Sequence, residues 1–238
     1  IVAGTTGYLG TMNGGISLIY GTFGSTTGGT GTISRMLNGL QAAAQNGAVA
    51  SITDMESGNQ VALSGAAIIT NMTGGTQTAV GGGTATGHML TGGTRLATYY
   101  AYDTRTFMPG GRVSGTTMSG GIQIVSASGV GSVTTMSGGE QNIYSSGSGS
   151  ITTLSGGTQN IYSGGTGNVT TMKGGKQTIL AGGTGTVSAL NSGAQDVYGT
   201  AVSTTVNNGG TQILQESGTL SKNVLAGGTQ IIEAGASL

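Results

Sequence analysis

Few side chains in this sequence are equipped for covalent chemistry. Its 238 residues hold seven acids (Asp54, Glu56, Asp103, Glu140, Asp196, Glu216 and Glu233), seven Lys or Arg, one His and no Cys. Glycoside hydrolysis needs two carboxylates facing each other across the scissile bond. Only Asp54 and Glu56 lie close in sequence, and they read as exposed corner residues. His88 has no evident serine or acid partner, so a structural or solvent-facing role is expected of it. One His and no Cys exclude multi-His and thiolate metal sites. The calcium-binding nonapeptide G-G-x-G-x-D is absent. The formal net charge is zero, so no basic excess exists to neutralise nucleic-acid phosphates. No enzyme, metal, cofactor or nucleic-acid partner is expected.

What is left for function is contact. Residues 96–112 concentrate Tyr99, Tyr100, Tyr102, Arg105, Phe107, the only Pro (Pro109) and Arg112. Clustered Tyr with Arg suits a sugar or protein partner, and this stretch is a candidate binding loop. A loop folded back with its aromatics on the scaffold is the alternative.

The scaffold follows from an internal repeat. The word Met/Leu, small residue, Gly/Ser, Gly, any residue, Gln recurs: M-S-G-G-I-Q at Met118, M-S-G-G-E-Q at Met136, L-S-G-G-T-Q at Leu154, M-K-G-G-K-Q at Met172. Its last position falls at 17, 41, 60, 77, 95, 123, 141, 159, 177, 195, 212 and 230, and nine of the eleven steps are 17 to 19 residues. β-branched runs such as S-V-T-T before Met136 and Q-N-I-Y from Gln141 read as strands between Gly/Ser turns. Eighteen residues are too few for a βαβ unit but enough for one winding of a β-solenoid. The expected fold is all-β: a single-stranded parallel β-helix of about 12–13 coils of roughly 18 residues, stacked about 4.8 Å apart. Residues 1–238 form one continuous solenoid, read as a segment of a longer array, with surface insertions near 21–31 and 96–112.

Stacking places equivalent residues in columns. Val125, Ile143, Ile161, Ile179, Val197, Leu214 and Ile232 form one interior column. Met118, Met136, Leu154, Met172, Leu190 and Leu225 form a second, and Val133, Ile151, Val169 and Val187 a third. The third lies three residues before the second, so a corner or bulge is expected near Thr134–Thr135. Gln123, Gln141, Gln159, Gln177 and Gln195 are expected to form an amide ladder, solvent-facing or at a corner. The paired Gly residues are expected to supply positive φ. Adjacent threonines such as Thr134–Thr135 are expected on opposite faces, which argues against a flat ice-binding plane. No run of about 18 apolar residues predicts a transmembrane helix, and no signal peptide is visible.

The words S-G-G-T-Q-N-I-Y-S-G-G-T-G-N-V-T-T-M-K-G-G-K-Q from Ser155 and A-V-S-T-T-V-N-N-G-G-T-Q from Ala201 resemble the AIDA-type repeats of self-associating bacterial autotransporter adhesins. The resemblance covers 115–238 well and 10–95 loosely; the Met column and the Tyr-rich insertion depart from it. It implies a right-handed β-helix displayed outside the cell as an outer-membrane-associated passenger. It also implies roles in self-association, adherence and biofilm formation. A further implication is O-linked heptosylation by a dedicated glycosyltransferase. The candidate acceptors are Ser119, Ser137 and Ser155 in the S-G-G word, with Ser145 and Ser163 after the Ile-Tyr strand. Surface receptors or glycans and other copies of the chain are the expected partners. The alternative is a structural filament subunit, joined end to end through uncapped coils.

Overall fold

The computed structural model describes residues 5–20, 28–44, 47–80, 82–97 and 111–236. Tyr99, Tyr100, Tyr102, Arg105 and Phe107, with most of both expected insertions, lie outside the described residues.

Every inter-strand pairing between successive coils is parallel, and the strands join into a single 22-stranded sheet. Counted along the Gln column, the register runs Ser17, Gln41, Gln60, Gln77, Arg95, Gln123, Gln141, Gln159, Gln177, Gln195, Gln212, Gln230. The fold is thus a parallel β-solenoid with coils of about 18 residues.

One coil explains the rest. In Val130–Met136, burial alternates up to Val133; Thr134 is then exposed, Thr135 half-buried and Met136 buried. The ladder to the next coil passes from Val133↔Ile151 to Thr135↔Thr153, omitting Thr134. The strand bends there, which lets two residues three apart both face inward. It also leaves both threonines outside, contrary to the expectation of opposite faces.

The S-G-G turn follows. Its two glycines have different tasks. A Cβ on Gly156 would lie 2.4 Å from the Ser137 carbonyl oxygen of the coil before, so the first glycine permits close approach. Only the second, Gly157, takes positive φ (+79°). After Glu140–Ile143, a turn closed by Gly147 N–H donating to the Tyr144 carbonyl at 2.8 Å starts the next winding.

Three apolar columns fill the interior, the column of Val125, Ile143, Ile161, Ile179, Val197 and Leu214 among them. Another runs Met12, Met36, Met55, Met72, Leu90, Met118, Met136, Leu154, Met172, Leu190, Val206, all buried. Beside it stand Ile33, Ile52 and Ile69, then Gly87 and Gly115, then Val133, Ile151, Val169 and Val187. In the last described coil Leu225 and Ile232 are about half exposed, at 54% and 46%, rather than interior. Among the described residues that coil is paired on one side only, and a single coil cannot cover its own apolar side.

The Gln column is interior, not at a corner or in solvent. Gln123, Gln141, Gln159, Gln177 and Gln195 are each 0% exposed. Gln141 Nε2 donates to Gln123 Oε1, Gln159 to Gln141, Gln177 to Gln159 and Gln195 to Gln177, at 2.5 to 2.7 Å. A buried amide is costly unless its donors and acceptors are met, and stacking meets them coil after coil.

Candidate functional site

The outer surface carries the groups available to a partner. Ser119, Ser137 and Ser155 are exposed and stand in register on successive coils. Their backbone N–H groups donate to Leu90, Met118 and Met136 carbonyls at 2.9, 2.9 and 2.8 Å, which fixes each turn. Two glycines follow each serine, so no bulky neighbour on that side shields the hydroxyl. Ser145 and Ser163 are also exposed. Their hydroxyls lie over the next coil: a Cβ on Gly164 or Gly182 would come within 2.9 and 2.6 Å of the two Oγ atoms. The first set is therefore the more open one.

Beside Ser145 and Ser163, the rings of Tyr144 and Tyr162 stack with centroids 4.4 Å apart and 13° between planes. Burial, and a hydrogen bond with Tyr144, raise the Tyr162 hydroxyl above the ordinary tyrosine range. Asn160 Nδ2 donates to Asn142 Oδ1 at 2.8 Å, one strand position pair away. An aromatic and amide edge thus flanks these serines.

Asp54 and Glu56 line one depression, each bound to its own neighbour. Glu56 accepts from Arg35 Nε at 2.7 Å, and Asp54 accepts from Asn71 Nδ2 at 2.8 Å. Both carboxylates are exposed, each held by its own partner. His88 is exposed and lines a depression with Thr and Ser residues and two glycines, Gly87 and Gly115. Among the described residues no three metal-ligating side chains cluster, and no helix is long and apolar enough to cross a membrane.

Arg95 occupies the ladder position between Gln77 and Gln123 and is 1% exposed. Its Nη1 reaches the Ser114 carbonyl at 3.5 Å, while Nε and Nη2 have no partner among the described residues. Gln77 Oε1 and Gln123 Nε2 are left unpaired on either side. Burial pushes the guanidinium down to about 10. Sequence reading placed Arg95 in the repeat word without remarking on it. The signal was present: an Arg where ten other coils carry Gln, with Gly87 and Gly115 where neighbouring coils carry Ile or Val.

No protein-family model matches the chain, and none of the curated proteins matches it. Among solved structures it is similar to the TibC-catalysed, hyper-glycosylated fragment 55–350 of TibA, at 26% identity and a TM-score of 0.70. The match covers 99% of this chain and 91% of the other. It is a structural match to the passenger of an AIDA-type autotransporter adhesin, the kind of chain whose repeats this sequence resembles.

Proposed function

We propose that the chain is a glycosylated passenger rod, displayed outside the cell, that joins cells to one another and to surfaces. The carrying observation is the row of open turn serines, Ser119, Ser137 and Ser155, repeated in register along a rigid shaft. The likeness to a hyper-glycosylated passenger fragment supports the same reading. A serine glycosyltransferase would find the same turn presented once per coil. Ser145 and Ser163 are the secondary acceptors, and the Tyr144–Tyr162 edge beside them offers ring faces to a sugar.

Adhesion follows from repetition. The chain has zero formal net charge, so copies do not repel at long range. Rows of hydroxyl and amide groups on a stiff scaffold each make weak contacts, and multiple simultaneous contacts become avidity. Residues 1–238 act in this reading as one continuous rod, without enzymatic chemistry of their own. Tyr99, Tyr100, Tyr102, Arg105 and Phe107 are proposed as a further contact loop on it.

The test is intact-mass measurement of the chain from its native host, with site mapping, and a sedimentation assay of cells displaying it. Sugar-sized increments on Ser119, Ser137 or Ser155 and rapid clumping are expected. A bare polypeptide mass overturns the glycan assignment, and dispersed cells at ample display overturn adhesion.

A further inference from the structure

The coil that carries Arg95 places a buried charge directly behind a surface depression. The guanidinium stays protonated at neutral pH, since even its lowered value lies well above 7. Among the described residues it has no carboxylate partner; the ion pairs there are Arg35–Glu56 and Lys176–Asp196. Among the described residues its charge is therefore uncompensated, and it sits in an interior where low permittivity lets a field extend.

The wall in front of it is thin. A Cβ built on Gly87 would lie 1.7 Å from Arg95 Nη2, and one on Gly115 would lie 2.6 Å from Nη1. The guanidinium thus rests against the inner side of two strands at residues that carry no side chain. The outer side of the same two glycines forms the floor of a depression of about 230 Å³, a volume on the scale of one sugar ring. Thr86, His88, Ser114, Thr116, Ser132 and Thr134 surround it, and no Asp or Glu does. Hydroxyl and imidazole groups there can donate to an oxyanion.

We propose that this depression binds a carboxylate-bearing ligand, a sugar acid or a free small carboxylate, held by the surrounding hydroxyls and His88 and attracted by the guanidinium behind Gly87 and Gly115. The assignment goes beyond adhesion and requires only the rod. It gives the position of Arg95 a use that packing alone does not, because Gln at this point would complete the ladder.

His88 is the only histidine, so its imidazole resonances give an unambiguous local probe. The purified rod is titrated with glucuronate, acetate and neutral methyl glucoside while those resonances are followed. A saturable shift with glucuronate and none with methyl glucoside is expected, weakened at least tenfold in Arg95→Gln. Acetate binding as tightly as glucuronate assigns the site to free carboxylates; glucuronate at least tenfold tighter assigns it to sugar acids. A Thr116→Val/Thr134→Val variant changes only the outer face and is expected to weaken binding at least fivefold even if Arg95→Gln fails to fold. The proposal falls if neither carboxylate gives saturable shifts, or if the neutral sugar matches glucuronate. It also falls if both variants that fold bind as the parent does.

Discussion

The coils before Arg95 and those after Gly111 fill the same space differently. In the earlier coils small residues meet: Ala62 faces Ala67, and Ala79 faces Ala85, in one buried cluster. In the later coils a large residue meets none: Ile143 lies against Gly149, Ile161 against Gly167 and Ile179 against Gly185. A Cβ on Gly167 would stand 2.3 Å from Ile161 Cδ1, so the glycine is the room the isoleucine uses. The backbone frame is common to both regions, and a large residue on one side is matched by a glycine on the other, whereas two alanines share the space in the earlier coils. Close-packed interiors require this. Arg95 is a third version at the junction, with one long side chain set against two glycines.

The sharpest break is Gly87→Val. It restores the β-branched residue of Ile69 and Val133 but drives a methyl-bearing carbon into the guanidinium. A loss of more than about 4 kcal/mol is expected, enough to abolish the cooperative thermal transition. Adding Arg95→Gln should recover most of it; no recovery in melting experiments would show that Gly87 serves the backbone instead.

The Ile–Gly pairing makes the next test. Ile161→Ala should cost about 2–5 kcal/mol, and Gly167→Ala about 1–3 kcal/mol. Combined, they recreate the alanine pairing of Ala62 and Ala67, so the double variant should be more stable than the summed losses by about 1–3 kcal/mol. Strict additivity in denaturant titrations would separate the two regions for some other reason.

A smaller gain should come from converting the junction into an ordinary coil. Arg95→Gln with Gly87→Val and Gly115→Val should stabilise the rod by about 3 kcal/mol at neutral pH, the scale set by burial lowering the guanidinium from its ordinary value to about 10. Between those two values the unfolded chain binds the proton that the folded chain has released. Stability contributed at Arg95 therefore rises with pH there. The gap between parent and triple variant should narrow above pH 10, whereas a constant gap would assign the gain to packing.

The period and parallel winding were legible because the coils reuse one turn that ends on a glycine at positive φ, in most of them after a second glycine that allows close approach. The inward direction of Gln141 and its equivalents was not. An amide ladder is satisfied on either face, and only the meeting of the strands on the far side of the coil decides burial. The bend at Thr134 was anticipated from the three-residue offset of Val133 and Met136, but its effect on Thr135 needed coordinates. Ser119, Ser137 and Ser155 are visible in sequence as turn residues; their open hydroxyls are a property of the stacked coils. The depression over Gly87 and Gly115 was hidden because its residues come from coils 28 positions apart, across the 98–110 stretch.

All the ladder amides point the same way. Gln60 donates back to Gln41, Gln77 to Gln60, and from Gln141 onward each donates to the coil preceding it, through to Gln230. Aligned in this fashion, their dipoles reinforce one another. A finished winding always holds out a carbonyl oxygen toward the C-terminal side. The shaft is thus a vector with a built-in docking template for the next turn laid down, and Arg95 is the one described point where that relay has to restart.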